Sequence, residues 1–441
     1  MTRIHQPEVT SAVITQHFVD RQKLHEFHPF TRLRALLDKY PAGQSPLTGG
    51  KPINLSIGEP QTQPPAFVAE EIARASAGWS RYPLSKGSED YLNASKQWLE
   101  RRYCLPDSML DSSRHLLAVP GTREGLFFTA LTILPTAKPG KPAPVFLMPN
   151  PCYHVYTGAA AAAGAEVVTS VATRESGYLP DYASLPEEIL ERTALCVLCS
   201  PSNPEGAVAS PEKIKELILL ARKYDFVVAF DECYAEIYSD TAPSSAFEVL
   251  AEMGGDLSNV LVFHSLSKRS SAAGLRCGFI AGDEKWISLI NTTCQVGGAG
   301  VPLPIQAAGT RLWQDEEHVE KNRGLYQENF RLAEEILGPV FQVEIPAGGF
   351  CLWLDVGNGV AAAEKLWREA GIRVLPGAYM SHRGENGFNP GDRYIRLALV
   401  YDPALTAVAL ETIRHVLVPD QEARGKEAEK PPADMIAGNL S

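Results

Sequence analysis

From Leu116 to Asp283 short apolar runs alternate with stretches of helical periodicity, and few folds accommodate that order. The runs at Val145–Asn150, Ala194–Ser200, Phe226–Asp231, Val260–Ser265 and Cys277–Gly282 are apolar at consecutive positions. A strand covered on one face alternates apolar with polar residues, whereas a continuous run needs cover on both faces. With helical segments such as Pro211–Tyr224 between them, these strands predict an α/β fold with a mostly parallel sheet. Ligands of such sheets bind beyond the carboxyl ends of the strands. Gly121, Tyr153, Asn203, Asp231 and Ser265–Lys268 each follow an apolar run closely and are expected on one rim.

Around that block the 441-residue chain divides into further parts. Residues 1–29 are polar and mixed and read as an N-terminal arm. Residues 30–80 and 330–418 read as a small α+β domain built from both ends of the chain. Its helical patterns lie at Phe30–Leu37, Pro65–Ala77, Ala361–Ala370 and Thr406–Val418. Its strand-like runs lie at Ile53–Ile57, Gly349–Val356, Gly371–Leu375 and Tyr394–Val400. Residues 81–329 form the large domain, with a helix at Glu89–Arg102, and Pro304–Leu337 reads as one long helical connector. Residues 419–441 are charged and contain prolines, and read as a disordered tail.

Hydrophobic residues make up 45% of the chain, enough for a core, so disorder is excluded as its dominant state. The formal charge of −11 argues against non-specific binding to nucleic acid or anionic membranes, though a local basic pocket can hold an anion. No apolar stretch approaches the roughly 18 residues a bilayer span needs. The first residues have no apolar core of a secretory leader, so a cytoplasmic location is expected. The 8 cysteines are widely spread and read as buried thiols of a reducing compartment. Cys196-Val-Leu-Cys199 has the spacing of a zinc half-site but no second pair nearby, and no metal site is expected. Ser265-Leu-Ser-Lys268 fits SxxK without the SDN and KTG motifs that accompany it in penicillin-interacting enzymes.

The segment Ser265-Leu-Ser-Lys-Arg-Ser-Ser-Ala-Ala-Gly-Leu-Arg276-Cys-Gly278 carries the chemistry. Hydroxyls of Ser265 and Ser267 and the fork of Arg276 suit a phosphate. Lys268 at the rim, partly desolvated beside other cations, can lose its proton and form a Schiff base. A phosphate clamp beside an imine-forming lysine is what pyridoxal 5'-phosphate requires, although a turn with a surface lysine would show the same four residues. Three further features agree. Asp231 closes a very apolar run and would pair with a protonated ring nitrogen, which makes the ring an electron sink; an N-cap is its other reading. Tyr234, three residues on, and Asn203, in Asn203-Pro204-Glu-Gly206, could reach the cofactor's phenolic oxygen. Gly121-Thr122-Arg123-Glu-Gly125 opens a helix whose free N–H groups could hold phosphate.

With these motifs in this order over residues 30–418, the chain resembles the fold-type I pyridoxal-phosphate enzymes of the class I and II aminotransferase family. The resemblance implies an aspartate-aminotransferase-like fold, in which a large domain with a seven-stranded type of sheet joins a small α+β domain. It also implies a homodimer with active sites at the interface. Lys268 would hold the cofactor as a Schiff base, Asp231 would meet the ring nitrogen, and Asn203 and Tyr234 would contact the phenolic oxygen. Ser265, Ser267, Arg276 and the Gly121-Thr122-Arg123 backbone would cradle the phosphate. Tyr153 matches the aromatic stacked on the ring, and Tyr82 the tyrosine that reaches the phosphate from the other subunit. Arg396, in Tyr-Ile-Arg-Leu-Ala, matches the arginine that grips the substrate α-carboxylate, with Asn203 and the backbone of Gly58 beside it.

Within the family, Phe30–Leu37, Leu55–Gln61, Gly121–Phe127 and Asn150–Tyr156 are similar to N-succinyldiaminopimelate aminotransferases of lysine biosynthesis. Arg123 or Arg34 would then meet the acidic far end of the substrate. The implied reaction is ping-pong exchange of an amino group between glutamate and N-succinyl-2-amino-6-ketopimelate. Aspartate, alanine or aromatic aminotransferases and carbon–sulfur lyases share the same cofactor site and stand as alternatives, as does a non-catalytic protein that keeps the fold.

Overall fold

Continuous apolar runs become strands because their side chains can be buried on both faces. In a computed structural model describing residues 14–20, 28–136, 143–298, 300–384 and 386–418, these strands are β1 (Ile14–Phe18), β2 (Ile53–Asn54), β3 (Leu116–Val119), β4 (Val145–Asn150), β5 (Glu166–Val171), β6 (Thr193–Cys199), β7 (Val227–Asp231), β8 (Val260–Ser265), β9 (Gly278–Gly282), β10 (Cys351–Asp355), β11 (Ile372–Arg373), β12 (Leu375–Pro376) and β13 (Tyr394–Ala398). The large sheet has eight strands in the order β1-β5-β4-β6-β7-β8-β9-β3. Strands β5, β4, β6, β7 and β8 run parallel, while β9, β3 and β1 are antiparallel to their neighbours.

Seven strands come from the alternating block. The eighth, β1, lies within residues 1–29, read as an N-terminal arm: Ile14–Phe18 pairs with Glu166–Ser170 along the sheet edge. Its polar composition gave no strand signal, since an edge strand need not be covered on both faces. The tail at 419–441 lies outside the described residues.

Successive residues of the parallel strands enter different cores. Val228, Phe230, Val260 and Val262 join one apolar cluster, and Val227, Ala229, Leu261 and Phe263 join the other. This two-residue period is the pleat of a sheet buried on both sides. Each fully buried Val or Phe contributes roughly 1.5–3 kcal/mol of transfer free energy, and this anchors the strand ends that carry the site. Between β8 and β9 the backbones come so close that a Cβ on Gly278 would lie 2.5 Å from the His264 carbonyl oxygen.

The C-terminal region forms a three-stranded sheet, β10-β13-β12, with a separate core that includes Leu352, Ile395, Leu397 and Leu410. β2 pairs with β11, so a segment from early in the chain packs into this late region. The connector read as one helix is two, Leu303–Gln314 and Glu317–Leu337. The chain is extended at Asp315 between them, and the Asp315 carboxylate accepts the His318 amide (3.3 Å), a local break that periodicity alone does not register.

Candidate active site

Because β6, β7 and β8 are parallel, their carboxyl ends meet at one edge, with Cys199 opposite Asp231 and Asp231 opposite Phe263. A cleft of about 150 Å³ opens there and is lined by Gly58, Thr122, Arg123, Tyr153, Asn203, Asp231, Tyr234, Lys268 and Arg396 among others. Nine residues singled out in the sequence therefore share one cavity, although they are contributed by both the large sheet and the C-terminal sheet.

Asp231 is 2% exposed. Its Oδ2 accepts the Tyr156 hydroxyl (2.8 Å), and its Oδ1 accepts the Cys233 amide (3.4 Å). Burial pushes its carboxyl above the usual range, and the Tyr156 and Cys233 bonds pull it back. A buried acid with only neutral hydrogen-bond partners lacks the cation that would hold it ionised, and a protonated ring nitrogen would supply that cation. Tyr156, 1% exposed and lining the same cavity, was not among the expected site residues.

Strand β8 ends at Ser265, whose side chain accepts the Ser267 amide and caps the one-turn helix Leu266–Arg269. That turn aims Lys268 into the cleft, where Nζ donates to the Gly58 carbonyl oxygen and lies 5.2 Å from the centre of the Phe350 ring. Burial, assisted by the charge of Arg396 and opposed by nearby thiols, lowers the lysine to about 8. An amine so placed is partly uncharged near neutral pH, as an imine-forming nucleophile must be. Phe350 was not anticipated from the sequence.

Arg396 projects from β13 and is 5% exposed. Its Nη1 donates to Asn203 Oδ1 (2.9 Å) and its Nη2 to the Ser56 carbonyl oxygen (2.6 Å), while Nε is buried without a partner. Both acceptors are neutral, so the guanidinium keeps its full charge toward the cleft and has a spare donor for a carboxylate.

Gly121 precedes the helix Thr122–Ile133 with φ +147°, and a Cβ there would lie 2.8 Å from Arg276 Nη2. Glycine thus lets Arg276 approach the helix N-terminus, where the opening N–H groups have no intrahelical acceptor. Ser265 Oγ donates to Ser267 Oγ (2.9 Å). Arg276 Nη2 donates to both carboxylate oxygens of Glu124 (2.8 and 2.6 Å), so an anion already stands in this cradle. A cation, two hydroxyls and free amides around a spot held by a carboxylate have the donor chemistry a phosphate needs. With Lys268 and Asp231 in the adjoining cleft, the residues present fit pyridoxal phosphate.

Tyr153 is half-buried on the cleft wall, and its hydroxyl accepts from Arg123 Nε (2.9 Å). Arg123 therefore presents a side chain as well as its backbone to the site. Arg34, the other arginine considered for the far end of a substrate, is exposed on the helix Pro29–Leu37. His154 lines the cleft beside His28, with ring centres 4.7 Å apart, and burial drives it down to about 3, so it is a neutral imidazole. Tyr234 is 6% exposed, its ring edge-on to Phe350. Tyr82 is fully exposed on this chain.

The sequence pattern of aminotransferase class I and II matches residues 50–413. An LL-diaminopimelate aminotransferase of Syntrophobacter fumaroxidans is 30% identical over 373 residues, which is 82% of this chain and 90% of that protein. The crystal structure of an aminotransferase from Neisseria meningitidis superposes with a TM-score of 0.81 at 37% identity, over 88% of this chain and 96% of that one. A probable N-succinyldiaminopimelate aminotransferase from Thermus thermophilus superposes at 0.72 with 25% identity, over 90% of this chain and 99% of that one.

Proposed function

Because this chain belongs to the class I and II aminotransferase family, we propose that it exchanges an amino group between glutamate and N-succinyl-2-amino-6-ketopimelate in the course of lysine biosynthesis. Pyridoxal 5'-phosphate is the cofactor of this family. When bound, it supplies a carbonyl carbon that takes up the substrate nitrogen and a ring that accepts electrons.

The chain's own residues do the rest. Arg396, which lines the cleft, grips the α-carboxylate through the η N–H groups not taken by Asn203 and Ser56, and fixes which bond of the α-carbon is presented for cleavage. Lys268 Nζ, uncharged for part of the time, accepts the α-proton as a general base and returns a proton as its acid. Asp231, steadied by the Tyr156 hydroxyl, would hold positive charge on the ring nitrogen of the bound cofactor. Tyr234 and Asn203 would contact the phenolic oxygen of the bound cofactor, and Asn203 also holds Arg396 in place. Arg123 receives the acidic far end of the substrate. Two copies of the chain pair, with Tyr82 completing the partner's site. The exposed apolar side chains of Trp79, Tyr82 and Leu84 support that pairing.

The observation that carries this reading is a lysine amine lowered to about 8 in the same cavity as a buried acid and a buried arginine. Unacylated LL-diaminopimelate is a second reading, favoured by the 30% identical relative that bears its name. Purified wild type and Lys268→Ala should be assayed with glutamate against both keto acids. Wild type should turn over the succinylated acceptor and show a visible absorbance band, and Lys268→Ala should lose both. Turnover of the unacylated substrate alone selects the second reading. Transamination by Lys268→Ala, or pyruvate and ammonia released from a single amino acid, refutes both readings.

A further inference from the structure

We propose that Glu124 is a resident counter-ion of the phosphate cradle: it holds Arg276 when no ligand is present and competes with an incoming phosphate for it. The proposal rests on the reading of the adjoining cleft as a pyridoxal-phosphate site.

Arg276 has its η nitrogens engaged, Nη2 by both Glu124 oxygens and Nη1 by the Ala273 carbonyl (3.0 Å). Those bonds take three of the five guanidinium N–H donors, both of those on Nη2 among them, so a phosphate reaches Nη2 only by displacing Glu124. A Cβ at Gly121 would stand 2.8 Å from Arg276 Nη2 and 3.3 Å from Glu124 Oε2, so carboxylate, guanidinium and helix N-terminus converge on one spot. Glu124 is also the acidic residue in the first turn of that helix, where the dipole favours one anion and two would repel. The side chains of Arg276 and Glu124 are 42% and 33% exposed. An ion pair this open to water breaks at small cost, so the carboxylate can swing out when phosphate arrives. Arg396, held by neutral partners, meets no such competition.

The opposite role, a brace that orients Arg276 for phosphate, predicts the opposite sign. The test titrates cofactor-free protein by fluorescence with pyridoxal 5'-phosphate and with pyridoxal, which lacks the phosphate, and adds inorganic phosphate as a competitor. Glu124→Gln removes the charge and keeps the shape. It should tighten pyridoxal phosphate relative to pyridoxal by roughly three- to tenfold and tighten inorganic phosphate in parallel. Glu124→Ala should shift the same ratio the same way, which covers a glutamine that still bonds to Arg276. An unchanged or reduced ratio in both variants overturns the competition while leaving the cofactor site intact. Failure of the wild type to bind either vitamer overturns the cleft reading together with it.

Discussion

Two arginines, one lining the cleft and one in the adjoining cradle, are held in different ways. Arg396 is buried, and its partners are the amide oxygen of Asn203 and a backbone carbonyl. Arg276 is nearly half exposed and bound to a carboxylate. A buried cation with neutral partners retains its charge for a ligand and stays in one orientation, because nothing else nearby can neutralise it. An exposed cation with an acid beside it is already neutralised, and water screens what remains. The first offers its charge to each incoming carboxylate, whereas the second gives up its own only to an anion that displaces the acid.

The largest expected effect tests the buried arginine. Arg396→Ala removes a charge-assisted contact and leaves Asn203 without its donor. It should lower kcat/KM for amino acids by roughly 10²- to 10³-fold, while an amine substrate without a carboxylate loses little. Equal losses on both, in steady-state assays, would place Arg396 outside carboxylate binding.

Lys268 comes next. Its amine is charged below about pH 8 and uncharged above, against 10.5 for an ordinary lysine. Capture of added pyridoxal phosphate by cofactor-free protein should therefore accelerate as pH rises through about 8 and level off above it, as followed by stopped-flow absorbance. A rise that continues to pH 10 would mean the amine is not desolvated.

A smaller effect is expected at the floor of the cleft. The Tyr156 hydroxyl stabilises ionised Asp231, and a hydrogen bond to a charged group contributes about 1.5–3 kcal/mol. Tyr156→Phe should weaken cofactor retention by roughly tenfold or more in equilibrium dialysis and lower the pH at which the ring nitrogen loses its proton, seen in the visible spectrum. A spectrum and affinity unchanged from wild type would show that Asp231 needs no such support. Glu124→Gln, at three- to tenfold, is the smallest change and the only one expected to tighten binding.

Much of the cleft could be read from the chain alone because each residue closes a local pattern. Asp231 ends a continuous apolar run, and Lys268 follows another by three residues after Ser265. Contacts between distant segments carry no such signal. Tyr156 meets Asp231 across 75 positions because β4 and β7 flank β6 in the sheet, an order absent from the chain order. Glu124 meets Arg276 across 152 positions, and Arg396 meets Asn203 across 193. Strand β1 escaped notice since an edge strand has no need of an apolar run.

The amino-acid order by itself determined the parallel sheet, its rim and the chemical kinds gathered there, because burial on both faces demands uninterrupted apolar strands and a charge at a strand end needs a reason to be there. Tertiary structure alone decided which acid stands beside which cation. Electrostatic partnership depends on distance and solvent in three dimensions, and both arise only after strands far apart in the chain are laid side by side.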